Sequence, residues 1–111
     1  MEYMLLIYGD EANMQAPNPE RMAAYVSYTK ALQESGVLRG GNRLQPVSAA
    51  TTVRARSGKP AVLDGPFAET KEQLGGYYLI DVPDLDAALS WASRCPGAAL
   101  GAIEVRPLWT M

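Results

Sequence analysis

Two apolar segments restrict the fold of this chain more than any other feature of its sequence. Residues Tyr3–Tyr8 and Tyr77–Val82 are apolar at nearly every position, and turn-forming residues follow both segments. Short continuous runs of this kind are typical of strands that are buried on both faces of a sheet. The chain is therefore expected to build its core around a sheet whose two central strands are covered on both sides.

The segment after the first apolar run predicts one long helix. Asn18 is a good N-cap, Pro19 suits the first helical position, and Gly36 is a typical residue just past the end of a helix. The helix is expected to run from about Pro19 to Ser35, after a polar loop over Glu11–Asn18. Its apolar face consists of residues at spacings of three and four, which are Met22, Tyr25, Val26, Thr29 and Leu32.

Three further strand signals complete the sheet and add a hairpin. Val37–Leu44 is rich in glycine with intermittent apolar residues, which predicts a broken strand. Thr52–Arg56 and Pro60–Leu63 flank a turn at Ser57–Lys59 and predict a β-hairpin. Ile103–Arg106 alternates between apolar and polar residues and predicts the last strand, at an edge of the sheet.

A second helix completes the order of elements. Asp84 is expected to cap this helix, and Pro96-Gly97 ends it, with Cys95 close to that end. Its predicted inward face consists of Leu85, Ala88, Leu89 and Ala92. The resulting order is that of a split βαβ, or ferredoxin-like, fold with a β-hairpin inserted between its halves. We therefore predict a single α+β domain over residues 1–111.

The two apolar strands also predict a partner. The helices of a split βαβ fold cover only one face of the sheet, so central strands that are apolar on both faces need a second cover. Another copy of the same sheet provides it, which predicts a homodimer with the sheets face to face. The alternative is a monomer whose tyrosines are exposed.

Composition excludes several classes of function. The chain has 111 residues, a net charge of -2 and no histidine, with a single cysteine. An acidic chain without a basic face does not suit nucleic-acid binding, and the lack of histidine removes the usual catalytic base and the commonest transition-metal ligand. No segment approaches the length of a membrane span. These features predict a cytoplasmic protein without metal or organic cofactor, without nucleic-acid partners and without membrane association.

One stretch concentrates the unusual chemistry, and it carries a family resemblance. The stretch is Asp64-Gly65-Pro66-Phe67-Ala68-Glu69-Thr70-Lys71-Glu72, and it is followed by Gly75-Gly76-Tyr77, Asp86-Ala87-Ala88 and Glu104-Val105-Arg106-Pro107. With Tyr3–Tyr8, these blocks resemble the YCII-related proteins, in particular the branch named for its DGPF motif, over almost the whole chain.

The resemblance implies a dimeric α+β barrel built from ferredoxin-like subunits, with a pocket between sheet and helices near the motif. Relatives in the wider superfamily are dehydrochlorinases, monooxygenases or isomerases. The founding branch of the family is described as enzymatic because of a His-Asp pair. This chain has no histidine, so that pair cannot be assigned here.

Asp64 and Lys71 are the candidate catalytic residues. Asp64 follows a strand and precedes a rigid Gly-Pro bend, so its carboxylate could serve as a general base at the mouth of a pocket. Lys71 could bind a substrate carboxylate or an enolate. In the alternative interpretation, Asp64 only starts a turn and Lys71 lies in a solvated segment.

Six residues are candidates for ligand binding, and each has a plainer structural interpretation. Gly65, Pro66 and Phe67 form the bend, and Phe67, the only phenylalanine, could instead fill the core. Tyr8 and Tyr77 end and begin the two apolar strands; buried tyrosines usually pack, with one satisfied hydroxyl. Arg54 could bind an anion or form a cross-strand ion pair.

Three functions remain open on the sequence. The first is a cofactor-independent enzyme for proton transfer or elimination on a small carbonyl or aromatic compound, with Asp64 as base. The second is a ligand-binding or regulatory homodimer without catalysis. The third is a structural dimer in which the motif only fixes a turn.

Overall fold

A computed structural model describes residues 1–110 and shows a mixed α+β domain. Within these residues, six strands and three α-helices follow one another as β1 (Glu2–Gly9), α1 (Glu11–Gln15), α2 (Pro19–Glu34), β2 (Leu38–Arg43), β3 (Thr51–Arg56), β4 (Lys59–Asp64), β5 (Gln73–Asp81), α3 (Leu85–Arg94) and β6 (Ala102–Pro107). Two short 3-10 turns cover Val47–Ala49 and Pro96–Ala99. No helix within residues 1–110 is both long and apolar enough to span a bilayer.

The two apolar segments form the centre of a four-stranded sheet, as predicted. The strands lie in the order β2-β5-β1-β6, and each neighbouring pair is antiparallel. Leu5 faces Tyr78 across the β1–β5 pair and Val105 across the β1–β6 pair. A bulge between Ile7 and Tyr8 shifts the β1–β5 register. This is the strand order of a ferredoxin-like sheet.

The core lies between this sheet and the helices α2 and α3. Leu5, Leu32 and Ile80 are its largest fully buried side chains. The hydroxyl of Tyr28 donates a 2.7 Å hydrogen bond to the carbonyl of Trp91 and so joins the two helices. Burying this hydroxyl costs little free energy, because it keeps a hydrogen-bond partner when water is removed.

Both long helices begin where the sequence predicts. The side chain of Asn18 accepts the backbone N–H of Arg21 at 3.0 Å, and that of Asp84 accepts the N–H of Ala87 at 2.9 Å. Gly36 follows α2 with a φ of +73°, a conformation that favours glycine.

The predicted inward face of α3 is partly wrong. Ala88 and Ala92 are buried, whereas Leu85 and Leu89 are 49% and 46% exposed. The buried stripe is rotated toward Ala87 and Trp91, which pack against the core. Trp91 packs against the core, and the two leucines lie at the margin of the buried stripe.

The predicted polar loop at residues 11–18 is also wrong in part, because it contains α1. Asp10 caps this helix by accepting the N–H of Ala12 at 2.9 Å. A carboxylate oxygen of Glu11 accepts the N–H of Val47 at 2.7 Å and ties α1 to the following loop region. A helix of five residues is too short to give a periodic apolar pattern, so the sequence did not reveal it.

The hairpin β3–β4 forms a two-stranded sheet of its own, which we call the arm. Ser57 and Gly58 make its turn with φ of +52° and +75°. At its base, the N–H of Gly65 donates to the carbonyl of Ala50 at 2.7 Å, and the hydroxyl of Thr52 donates to the carbonyl of Gly65 at 2.8 Å. Every residue of the arm except Thr52 is exposed, so the arm projects from the domain.

Among residues 1–110, no helix covers the second face of the central sheet. Met4 and Leu6 alternate with the buried Tyr3 and Leu5, so their side chains point away from the core. They are only partly buried. We call this surface the outer sheet face.

Candidate functional site

A cavity of about 910 Å³ lies between the sheet and helix α2. The end of β1, the start of β5 and the end of β2 line one side, α2 lines another, and α1 lines a third. A volume of this order is typical of small-molecule sites, which range over about 300–1,000 Å³. The resemblance implied a pocket between sheet and helices near the motif. This cavity lies between the sheet and a helix, but no residue of Asp64–Glu72 lines it.

The first half of α2 supplies an apolar wall to this cavity. Met22 and Val26 are 63% and 65% exposed, and they line the cavity together with Tyr25 and Thr29. These four residues belong to the predicted apolar face of the helix. Leu32, the last member of that face, is fully buried, and Tyr25 also packs against the core. The wall therefore offers an apolar surface to a ligand of small size.

Three hydroxyl groups line the same cavity. The Thr29 hydroxyl and the Tyr78 hydroxyl are 2.7 Å apart, and the Cys95 thiol lies 3.9 Å from the Tyr25 hydroxyl, to which it donates. Burial raises the pKa of Tyr25, and Cys95 raises it further. Burial also raises the pKa of Tyr78, against the opposing effect of the Thr29 hydrogen bond. Both phenols therefore stay neutral near pH 7 and can donate hydrogen bonds to a ligand oxygen.

Cys95 itself is not suited to nucleophilic chemistry. Burial is the main cause that raises the pKa of its thiol above the usual value. A thiol that resists ionisation is a weak nucleophile, because the thiolate is the reactive form. The thiol therefore serves as packing beside Tyr25.

Small residues make room for these hydroxyls. A Cβ added at Gly97 would lie 2.7 Å from the Tyr25 hydroxyl oxygen, and one added at Gly41 would lie 2.9 Å from Cδ1 of Tyr78. A side chain at Gly97 would require Tyr25 to move, and one at Gly41 would also meet the backbone carbonyl oxygen of Tyr77 at 2.9 Å. The two glycines thus fix the positions of the two phenol rings.

Two arginines lie where α1 meets the cavity. Nη2 of Arg21 donates to the carbonyls of Asn13 and Ala16, and Nη2 of Arg43 donates to the carbonyl of Met14 at 3.2 Å. Each guanidinium has further N–H donors besides these. Since Arg43 faces Gly76 and Gly41 faces Tyr78, Arg43 lies two residues from the phenol group along β2.

The charge of the cavity is opposite to that of the chain. The basic residues Arg21, Lys30 and Arg43 line it, but Asp10 is the only acidic residue among its described lining. The whole chain has a net charge of -2. Positive charge concentrated in a concave, largely apolar site favours anionic ligands over cationic ones.

The side chain of Met14 packs helix α1 against the sheet. A Cβ added at Gly75 would lie 2.7 Å from Sδ of Met14, and one added at Gly9 would lie 3.1 Å from the same atom. Met14 therefore fills the space that two glycines on neighbouring strands leave open. This contact, with the two arginines, sets the position of α1 as a wall of the cavity.

The predicted site residues divide into two groups. Tyr8 and Tyr77 line the cavity. Tyr77 pairs with Leu6, however, so its side chain lies on the outer sheet face, where its hydroxyl accepts a 2.9 Å hydrogen bond from Asn42 Nδ2. The other six do not line it and lie in the arm or in the segment that follows it, namely Arg54, Asp64, Gly65, Pro66, Phe67 and Lys71. The carboxylate of Asp64 and the ammonium of Lys71 are both on exposed residues.

Phe67 does not fill the core, which corrects one of the two interpretations of this residue. It is 73% exposed, and the guanidinium of Arg54 lies 4.8 Å from the centre of its ring. The bend at Gly65, with a φ of +105°, turns the chain away from the domain before Phe67. The motif thus connects the arm to the sheet and does not enter the cavity of its own chain.

Local sequence patterns provide only weak signals for the residues that do line the cavity. Arg21 and Arg43 are far apart in the chain and lie in different elements, so no local spacing links them. Among residues 1–110, no group of three His, Cys, Asp or Glu side chains is placed to bind a metal ion.

Comparisons with known proteins agree with this fold. The chain is 44% identical over 114 residues to an uncharacterised protein of Rhizobium meliloti (strain 1021), covering 97% of this chain and 92% of that protein. A solved structure of 5-chloro-2-hydroxyhydroquinone dehydrochlorinase (TftG) from Burkholderia phenoliruptrix AC1100, in complex with 2,5-dihydroxybenzoquinone, is similar with a TM-score of 0.58 and 17% identity. It covers 98% of this chain and 94% of its own, and at this identity it shows the fold alone.

The family assignment rests on the whole sequence. The YCII-related domain matches residues 1–111, which is the full length of the chain. The chain therefore belongs to the YCII-related domain family.

Proposed function

We propose that this protein binds a small anionic organic molecule in the cavity between the sheet and α2, and that it acts on this molecule by proton transfer or elimination without a cofactor. The observation that carries the proposal is the arrangement of the cavity itself. Two arginines lie at its α1 side, neutral hydroxyls lie deeper, and apolar side chains of α2 lie between sheet and solvent.

Each part of the cavity matches one part of such a ligand. The guanidinium groups of Arg21 and Arg43 suit a carboxylate or a phenolate oxygen. The neutral phenols of Tyr25 and Tyr78 suit a carbonyl oxygen, which accepts hydrogen bonds. Met22 and Val26 suit the face of a ring. 2,5-Dihydroxybenzoquinone, which the related dehydrochlorinase structure contains, has both acidic hydroxyls and carbonyls, so it is a reasonable first probe.

The base for such a reaction would be a carboxylate, because the chain has no histidine. Asp10 lines the cavity, although one of its oxygens already accepts the N–H of Ala12. Asp64 and Lys71, the catalytic candidates from the sequence, lie outside the cavity of their own chain. Their participation requires that the motif segment close over the cavity or reach it from a second copy.

We also propose that two copies associate through their outer sheet faces and form a dimeric α+β barrel. The partly buried Met4, Leu6 and Leu79 support this proposal, because no element of the described chain covers them. Burial of such a surface is favourable by about 25 cal/mol for each Å² of apolar area removed from water.

Binding without catalysis is the second candidate, and one observation favours it. Among the described residues that line the cavity, Asp10 carries the one carboxylate, and one of its oxygens is engaged as a helix cap. In this case the protein would be a ligand-binding or regulatory homodimer.

A thermal-shift series tests the binding proposal. Hydroxylated quinones, phenols and aromatic acids are added to the wild type, to Arg43→Gln and to the control Arg94→Gln, whose side chain lies on α3 over the Trp91 ring. A ligand at a hundred times its dissociation constant stabilises the protein by about 2.7 kcal/mol. We expect a shift for wild type and the control and a much smaller one for Arg43→Gln. An equal shift in all three would contradict the site.

A turnover assay then separates the two candidates. Each binding compound is incubated with wild type, Asp10→Asn and Asp64→Asn, and products are followed by mass spectrometry. Product that depends on either carboxylate supports the enzyme and names its base. Ligand binding without product in any of the three proteins would instead establish the second candidate.

A further inference from the structure

We propose that the arm packs on a second copy of this chain and is the element that clasps the homodimer. The DGPF motif sets the direction in which the arm leaves the domain. This inference goes beyond the ligand site, and it rests on the proposed homodimer for the existence of the second copy.

The arm has no stabilising neighbour in its own chain. Its two strands pair only with each other, from Thr51↔Asp64 to Arg56↔Lys59, and form a sheet separate from the central one. A lone two-stranded hairpin is marginally stable in water, and it needs a third strand or another packed layer. A partner surface is therefore required to make this element rigid.

One face of the arm is apolar and suited to such packing. Val53 pairs directly with Val62, and Ala55 pairs with Pro60, so all four side chains lie on the same face. Val53 and Val62 are each 61% exposed. Exposed apolar pairs side by side form a surface that is stabilised when another molecule removes it from water.

The opposite face of the arm is basic and complements the rest of the chain. The arm contains three basic residues, Arg54, Arg56 and Lys59, and one carboxylate, Asp64. Of the ten basic and twelve acidic residues, seven basic and eleven acidic ones therefore lie elsewhere. A positive arm beside a negative body favours packing of the arm on the body of another copy and disfavours contact between two arms.

The motif fixes the direction in which the arm leaves the domain. Gly65 has a φ of +105°, and both its N–H and its carbonyl are hydrogen-bonded, to Ala50 and Thr52. Arg54 of the arm stacks on the ring of Phe67, beyond the bend. A fixed direction of the arm matters only if the arm meets a defined surface. The motif therefore has a role in assembly that does not require Asp64 to touch a ligand.

Photo-crosslinking from the arm tests the proposal directly. Val53→Cys is labelled with a benzophenone maleimide, which leaves the buried Cys95 unmodified. Equal amounts of protein with natural nitrogen and of ¹⁵N-enriched protein are mixed and irradiated. The crosslinked peptides are identified by mass spectrometry. We expect mixed-isotope peptides that join the arm to the body of a second chain. Ser90→Cys, on the exposed side of α3, is the control site.

Charge reversal gives an independent measurement. In analytical ultracentrifugation at low salt, Arg54→Glu/Arg56→Glu should raise the dimer dissociation constant by about tenfold, because two ion pairs are lost. A second protein, Arg94→Glu, should change it little. Leu6→Lys, on the outer sheet face, should prevent dimerisation altogether.

The outcomes distinguish the two proposals. If a dimer forms but arm crosslinks stay within one chain and charge reversal has no effect, the arm proposal is wrong and the homodimer stands. If the wild type is monomeric at all concentrations, both proposals are wrong.

Discussion

Two adjacent glycines of β5 allow a sharp test of how α1 is held. Gly75 and Gly76 are both too crowded for a side chain, but the obstructing atoms differ. A Cβ at Gly75 would meet Sδ of Met14 at 2.7 Å, the far end of a flexible side chain. A Cβ at Gly76 would meet the backbone carbonyl oxygen of Asn42 at 2.9 Å. We therefore expect Gly75→Ala to displace α1 and Gly76→Ala to damage the sheet.

The expected free energies differ accordingly. Burying a methionine side chain fully is worth about 1.5–3 kcal/mol, so loss of the partly buried Met14 contact costs about 1 kcal/mol. Alanine recovers part of this by restricting the unfolded chain, by about 0.4–1 kcal/mol. Gly76→Ala instead forces β2 away from β5, and overpacking costs about 1–3 kcal/mol before any ladder hydrogen bond is lost. Gly75→Ala should thus be close to neutral, and Gly76→Ala clearly destabilising.

Thermal unfolding and hydrogen exchange together measure the two effects. One kcal/mol lowers the melting temperature of a domain of this size by about 4 °C, so Gly76→Ala should lower it by about 10 °C. In Gly75→Ala, the amide hydrogens of Met14 and Ala16, which bond to Asp10 and Ala12, should exchange about tenfold faster.

Gly40→Ala is the control for both variants. Its added Cβ would come no closer than 4.0 Å to any neighbour, so its melting temperature should stay near that of wild type. If Gly75→Ala destabilises the fold as much as Gly76→Ala, or leaves exchange in α1 unchanged, then Met14 does not hold α1 in the way described.

Two further predictions concern the helix wall and the N-terminus. Leu32→Ala, at a fully buried position, should lower the free energy of unfolding by about 2–5 kcal/mol, as measured by chemical denaturation. Met22→Ala, at a cavity position, should leave this free energy nearly unchanged but weaken ligand binding, as measured by titration. The 2.9 Å hydrogen bond from the Met1 amino group lowers the pKa of Asp81. The stabilisation from this bond is therefore present at neutral pH and lost as the pH falls through the lowered pKa. N-terminal acetylation should raise the pKa of Asp81 in an NMR titration.

The sequence predicted the framework well, because that framework follows from local patterns. The two apolar runs identified the central strands, and the helix caps at Asn18 and Asp84 placed the starts of both long helices. The hairpin turn was also visible, since Ser57–Lys59 is a glycine-containing turn segment between two strand patterns. Each of these features depends on residues that are close together in the chain.

The cavity could not be predicted in the same way. The apolar face of α2 is periodic throughout, but periodicity does not tell how far a helix stands from the sheet. Met22 therefore looks like Leu32 in the sequence, although one lines the cavity and the other fills the core. The unusual residues of the motif instead suggested Asp64 and Lys71 as catalytic residues, and the fold places both outside the cavity. The assignment of these two residues as catalytic stays a prediction.

The pairing of β1 with β6 determines when this protein can finish folding. Tyr3, near the first residue, faces Pro107, near the last, and β6 is the only neighbour of β1 on that side. During synthesis, β1 has no strand partner until β5 has emerged, and its second edge stays unpaired until β6 has emerged. Such long-range pairing slows folding, because the loop must close before its contacts form. The β1–β6 pairing is therefore among the last contacts to form during synthesis, and an unpaired apolar strand such as β1 is prone to aggregation until then.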